Sequence, residues 1–240
     1  MPEDERPPPA RVLSVLARGE VEVVGRLPWS SNRTFLAACT LDGEEIPAVY
    51  KPGRGERTLW DFPEGVYRRE VAAYELSGAL GWGLVPETVE RADGPLGPGS
   101  LQRFVPADFS EHHFTLVEDP RHHARLRAIC AFDIVANNAD RKSGHCLLGD
   151  DGEVWAIDNG LCFHREPKLR TVIWEFAGED LPASLCDGLT RVATSPPSGL
   201  RRYLSAPEVD AVARRAAALL RAGRFPAPDP DRYHYPWPLV

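Results

Sequence analysis

From residue 21 the chain alternates apolar and polar positions with a period near two. Residues 21–27 (VEVVGRL), 33–41 (RTFLAACTL) and 45–51 (EIPAVYK) are rich in β-branched and aromatic side chains, which predicts three strands. The polar loop Pro28-Trp29-Ser30-Ser31-Asn32 separates the first two, and a turn at Asp42-Gly43 separates the second from the third, as in an antiparallel meander. The period then lengthens. Val66, Val71, Tyr74 and Leu80 recur near helical spacing and predict a helix over residues 64–80. Two more strand patterns follow at 84–91 and 100–105, and beyond them helical periodicity returns over 120–138 and 207–222, with a short hairpin pattern at 145–158 between.

Strands with one helix, followed by mainly helices, predict an α+β chain of two lobes joined near residue 105. Residues 11–105 form a small β-rich N-terminal lobe and 106–224 a mainly helical C-terminal lobe in this reading. Residues 1–10 read as a disordered, Pro-rich leader, and the apolar run from Val12 to Ala17 is too short for a secretory signal. Residues 225–240 (FPAPDPDRYHYPWPLV) read as an extended Pro-rich tail. Tyr233, Tyr235, Trp237, Leu239 and Val240 make that tail costly to leave in water, so it packs across its own domain or meets a partner or a second copy.

With 240 residues, 43 % hydrophobic and 26 % charged, the chain is neither a disulfide-held mini-protein nor wholly disordered. The net charge of −7 disfavours nucleic acid as a partner and a stable anchor on an anionic membrane. Five scattered cysteines with no CxxC pair argue against a disulfide framework and a zinc-thiolate site. A reducing, cytoplasmic setting is expected.

The chemistry concentrates in residues 132–163. A helix ends at a polar knot, and two short strands flank the Asp150-Asp151-Gly152 turn. If that hairpin forms, His145 lies across from Asp158, with Asp140 just ahead of both. Two carboxylates and an imidazole at one end of a hairpin suit metal-dependent phosphoryl transfer, in which one Asp orients the acceptor hydroxyl and another holds a divalent ion on the phosphates. Asp140, a candidate metal ligand five residues on at His145, and Asp158 opening Asp-Asn-Gly follow the order of a kinase catalytic Asp, metal-binding side chain and Asp-Phe-Gly element. A kinase also needs a phosphate-binding lysine on the third strand and a glutamate on the next helix. Lys51 and Glu70 meet that requirement, with Glu75 as the competing carboxylate.

The run NNADRKSGH…VWAIDNGLCFHREPKLRTVIWEFAG, together with YKPGRGERTLWDFPEGVYRREVAAYELSGALGWGLVP and the terminal YPWPLV, closely resembles a bacterial family labelled phosphatidylinositol 3-/4-kinase-like. More distantly, Asp140-Arg141-Lys142 resembles the Asp-Arg-His opening of the lipid-kinase catalytic loop. The resemblance implies a two-lobed protein-kinase-like fold, ATP and Mg²⁺. By that analogy the backbone at Phe104 and Val105 faces adenine.

Two departures stand out. No GxGxxG covers the expected phosphate site, where Ser30, Ser31 and Asn32 offer hydroxyls, an amide and backbone N–H groups instead. His145 stands where kinases of this type usually carry asparagine, and imidazole suits Mn²⁺ better than Mg²⁺; Asn137 and Asn138 are possible substitutes. The histidine pairs at 112–113 and 122–123 read as solvated loop residues rather than a metal site. The basic segment 164–170 reads either as a greeting for a phosphorylated acceptor or lipid headgroup or as plain surface. The expected activity is ATP-dependent phosphoryl transfer to a hydroxyl of a protein, small molecule or lipid headgroup. The alternatives are a catalytically weak pseudokinase acting as a nucleotide-responsive binding module, and a nucleotidyl (AMP) transferase.

Overall fold

Helix α1 (Pro9–Arg18) opens the structure, a computed structural model that describes residues 7–27, 33–231 and 233–240. Proline at the first helical positions fits the unpaired N–H groups there, and Val12, Val15 and Leu16 recur on one fully buried face. Residues 9 and 10 are therefore helical, not part of a disordered leader, and residues 1–6 lie outside the described residues. The N-terminal region thus carries two helices rather than one. The signal was a single apolar triplet whose proline-rich flank reads equally well as a leader.

Strands β1 (Glu20–Arg26), β2 (Phe35–Leu41), β3 (Glu44–Pro52), β4 (Thr88–Arg91) and β5 (Gly99–Arg103) form one antiparallel sheet in the order β1-β2-β3-β5-β4. Asp42 and Gly43 both take positive φ (54° and 81°), the geometry that lets a two-residue hairpin follow the sheet's twist. One sheet face packs Ala37, Cys39, Ile46, Ala48, Tyr50 and Leu101 against the buried side of α1. The expected strand at 84–91 begins only at Thr88 because Ser77 Oγ accepts the N–H groups of Leu84 and Val85, at 2.7 and 3.3 Å.

Helix α2 (Tyr67–Leu80) packs beside β4 and β5 and gives Ala72, Ala73, Leu76 and Leu80 to the core of the C-terminal part. Its N-terminus is held by Glu56, whose carboxylate accepts the N–H groups of Gly65, Val66 and Tyr67 at 3.0, 3.1 and 2.7 Å, a charge placement the helix dipole favours. The C-terminal part comprises α3 (His113–Leu116), α4 (His123–Ala136), the hairpin β6 (Cys146–Leu148) and β7 (Val154–Ala156), α5 (Ala183–Thr194) and α6 (Ala206–Ala222). Helix α5 escaped the sequence reading because Gly188 interrupts it. A Cβ there would come within 2.2 Å of the Leu80 carbonyl, so the glycine marks the α2–α5 contact rather than a break. Arg69 ties α2 to the C-terminal part through the Cys162 carbonyl (2.6 Å) and the Glu208 carboxylate.

Candidate active site

Tyr50 and Pro52 face the buried side of β3, so Lys51 between them points to the other face, toward α2. Its ammonium contacts the Glu70 carboxylate and donates to Asp158 Oδ1 at 2.7 Å. The second Glu70 oxygen accepts the Asn159 backbone N–H at 2.9 Å. Burial works against the charge on Lys51, but Asp158 and Glu70 outweigh it and raise the ammonium above its usual value. The same ammonium holds Asp158 well below the usual carboxylate range, against burial. Glu75 takes no part in this cluster.

Helix α4 ends at Asn137, which takes the left-handed conformation (φ 55°) and closes the last turn. Its side chain donates to the carbonyls of His164 and Glu166 at 2.8 and 2.7 Å and accepts the Lys168 N–H at 2.8 Å. Asn138 donates to Asp133 at 3.0 Å and accepts the Asp140 N–H at 2.9 Å. Both amides are committed to shaping the loop and substitute for no metal ligand. Beneath the loop, Arg141 and Asp133 are both fully buried. The Arg141 guanidinium donates to both Asp133 oxygens at 2.9–3.1 Å, to the carbonyls of Ile157 (2.6 Å) and His145 (3.3 Å), and to Asn159 Oδ1 (2.6 Å). One side chain thereby joins α4, the Asp140 loop and the segment after β7.

The β6–β7 hairpin brings His145 and Asp158 together as expected, with Nε2 3.3 Å from Asp158 Oδ2. His145 Nδ1 accepts the Lys142 backbone N–H at 3.3 Å. A neutral imidazole that accepts at Nδ1 carries its proton at Nε2, so the ring nitrogen that stands 3.3 Å from Asp158 is the protonated one and offers no lone pair to a metal, unlike the ligand expected at this position. Burial pushes the ring down to about 4 despite Asp158, which keeps it neutral near pH 7. Asp140 has its N–H tied to Asn138, and Lys142 Nζ stands 3.6 Å from its carboxylate. Burial, opposed by Lys142 and reinforced by Asp158, pushes Asp140 up to about 6.

A cleft of about 450 Å³ is lined by Lys51, Glu70, Asp140, Lys142 and Asp158, together with Arg33, Thr34 and Tyr67 and with Tyr233, Tyr235 and Trp237 of the tail. Ser30, Ser31 and Asn32 lie outside the described residues. Phe104 and Val105 are not among the lining residues, and the Phe104 N–H is taken by the Pro47 carbonyl at 2.9 Å. Of the basic segment, Lys168 is paired with Asp61 at 2.8 Å and Arg165 lies near Glu166, which leaves Arg170 lining the cleft. His113 is buried against Glu175 at 3.0 Å, and among the described residues no group of three or more His, Cys, Asp or Glu gathers as a metal cluster. Among them, too, no helix is long and apolar enough to cross a membrane.

The sequence reading missed Asp133 and Asn159. The signal was present in AFDIVA: an aspartate inside an apolar helix needs a buried partner, and the only question left was which cation.

No protein-family model matches the chain, so the narrower phosphatidylinositol 3-/4-kinase-like label rests on the sequence resemblance alone. Among solved structures it is similar to hydra Fam20 with sugar (15 % identity, TM-score 0.58, covering 89 % of this chain and 87 % of that one). It is also similar to the Golgi casein kinase (16 %, TM-score 0.56, 92 % and 79 %) and to that kinase with Mn/ADP bound (16 %, TM-score 0.55, 93 % and 80 %). These likenesses establish a kinase-like fold, in agreement with the antiparallel N-terminal sheet and helical C-terminal part. In sequence the chain is 40 % identical over 263 residues to Protein Rv2133c of Mycobacterium tuberculosis (strain ATCC 25618 / H37Rv), covering 94 % of each. It belongs to the family of that mycobacterial protein.

Proposed function

We propose that the protein is an ATP-dependent phosphotransferase of atypical kinase type that moves a phosphoryl group to a hydroxyl acceptor, in the cytoplasm. The observation that carries this reading is the Lys51 ammonium bridging Glu70 and Asp158 at the floor of a cleft that also holds Asp140. In this reading residues 11–105 form the nucleotide-facing lobe and 106–224 the catalytic lobe. The five cysteines are unpaired, which supports a reducing compartment.

Lys51, held in place by Glu70, binds the α/β-phosphates. Asp140 orients the acceptor hydroxyl and takes its proton, and a carboxyl lifted toward neutral pH by burial suits that task. The donor set fits a hard divalent ion: the Asp158 carboxylate supplies oxygen, with phosphates and water completing the shell, as Mg²⁺ is usually held in such sites. Bound there, Mg²⁺ or Mn²⁺ would neutralise charge developing on the phosphates. The solved kinase that carries Mn/ADP supports the same nucleotide and metal class. His145 Nε2 stands 3.3 Å from the Asp158 oxygen that does not contact Lys51.

The test is a thermal-shift titration with ATP, alone and with Mg²⁺ or Mn²⁺, on the parent and on Asp158→Ala. A ligand at about 100 times its Kd adds about 2.7 kcal/mol. A metal-dependent shift that disappears in the variant supports the site, and no shift with any nucleotide refutes it. One feature favours a second reading, a nucleotide-responsive binding module: with His145 spoken for, Asp158 is left without the usual asparagine beside it. Nucleotide binding with no turnover toward any acceptor, water included, would select the module.

A further inference from the structure

The C-terminal tail is fastened across the candidate catalytic segment at two points. His234 accepts hydrogen bonds at its carbonyl from the Thr171 N–H (2.9 Å) and the Trp174 indole (3.3 Å), and the Leu239 carbonyl accepts the Ser143 N–H at 2.8 Å. The His234 ring also meets the Trp174 ring edge-on at 5.6 Å. Its two neighbours, Tyr233 and Tyr235, instead line the cleft that holds Asp140, Lys142 and Asp158.

Burial does not account for these two phenols, since Tyr233 is 90 % and Tyr235 53 % exposed. Four hydroxyl-bearing side chains line the cleft among the described residues: Thr34, Tyr67, Tyr233 and Tyr235. Thr34 and Tyr67 are buried, at 4 % and 7 % exposure, so the accessible hydroxyls facing the candidate machinery belong to the tail. Tyr235 lies inside the span pinned at both ends, whereas Tyr233 lies outside it.

We propose that Tyr235 is a phosphoryl acceptor of the chain's own cleft, so that the protein phosphorylates its tail in cis. The proposal rests on the phosphotransferase reading above and adds the acceptor. The Tyr235 hydroxyl gives its proton to the Asp140 carboxylate as its oxygen bonds to the γ-phosphorus of ATP; the bond from that phosphorus to the β,γ-bridging oxygen breaks, and ADP leaves with the electron pair. Holding acceptor and base on one scaffold makes the step unimolecular, which is where kinases find much of their rate. The dianionic product would share the cleft with Lys142 and Arg170.

The experiment incubates the purified full chain with ATP and Mg²⁺ or Mn²⁺ and follows intact mass, then maps any gain by peptide sequencing. The expected result is one added phosphoryl group on Tyr235, formed at a rate unchanged by dilution and lost in Asp140→Asn and in Tyr235→Phe. In a mixture of Asp140→Asn with Tyr235→Phe, the Asp140→Asn chain should stay unmodified. Melting curves confirm that each variant is folded. Modification confined to Tyr233 or to any other residue, or a rate that rises with protein concentration, overturns the proposal. A metal- and nucleotide-dependent thermal shift without any mass gain overturns it and leaves the phosphotransferase site standing. Absence of both takes down the two together.

Discussion

Replacing Asp133 by alanine tests whether the buried Arg141 organises the site. Arg141 is fully buried, and Asp133 is the carboxylate that pairs with it; the other acceptors are the carbonyls of Ile157 and His145 and the Asn159 amide. These are dipoles, so Asp133→Ala leaves a guanidinium in the interior without a counter-charge. Breaking one partner of a buried pair costs about 3–5 kcal/mol, a large share of the roughly 5–15 kcal/mol that holds a domain folded. For a chain of this length that corresponds to a fall in Tm of roughly 6–20 °C. Urea unfolding followed by circular dichroism should show a lower midpoint with an unchanged slope.

The double variant Asp133→Leu/Arg141→Met separates stability from function. Replacing both members of a buried pair by packed apolar groups is often neutral or stabilising, so much of the lost stability should return. The Ile157 carbonyl loses its Arg141 donor all the same, the His145 carbonyl keeps only the Ile157 N–H at 3.0 Å, and the Asp140 loop loses its side-chain tie to the Asp158 segment. The nucleotide-dependent thermal shift should stay small in the double variant even where its midpoint recovers. A single variant within about 0.5 kcal/mol of the parent, the range of ordinary surface changes, would refute the reasoning, as would a double variant that binds nucleotide as the parent does.

Asp140→Asn should lower turnover by about 10²–10⁴, the usual worth of a general base, while ADP affinity measured by fluorescence titration stays at the parent value. Because the base acts ionised and its carboxyl is pushed up to about 6, parental turnover should rise with pH through that value and level off, and the rising limb should vanish in the variant. For His145, pulsed electron paramagnetic resonance on the Mn²⁺·ADP complex should find no directly coordinated histidine nitrogen; a coordinated nitrogen that disappears in His145→Asn would sink the assignment of its proton to Nε2.

What the sequence disclosed follows the range of the interactions involved. The meander and α2 rest on local periodicity and on a turn dipeptide, Asp42-Gly43, whose backbone needs are set within two residues. Lys51 and Glu70 could be paired in advance because a strand and the following helix leave few carboxylates to choose from. Helix α1 stayed hidden since its worth comes from packing Val12, Val15 and Leu16 on a sheet formed later in the chain. The tautomer of His145 was equally out of reach: it depends on the Lys142 N–H occupying Nδ1, a backbone detail that no residue spacing encodes. Phe104 was placed at the nucleotide by analogy, and its N–H went instead to the neighbouring strand's Pro47.

The tripeptide Asp158-Asn159-Gly160 shows how tightly these constraints converge. Asp158 takes φ 55°, a conformation aspartate tolerates better than most residues, and this turns its carboxylate toward both Lys51 and His145. Asn159 is fully buried; its N–H goes to Glu70 and its side chain links Arg141 to the Ala156 carbonyl. An apolar residue at that position would strand the Arg141 donor, which gives a physical reason for asparagine where an Asp-Phe-Gly element has phenylalanine. At Gly160 an added Cβ would lie 3.3 Å from Glu70 Oε1, the oxygen that contacts Lys51. Asn159 and Gly160 both answer to Glu70, Asp158 answers to Lys51 and His145, and the Asn159 side chain answers to Arg141. Two cations organise the cleft: Lys51 holds Glu70 and Asp158, and Arg141 beneath them holds Asp133, which leaves Asp140 to be placed by its backbone and by Lys142.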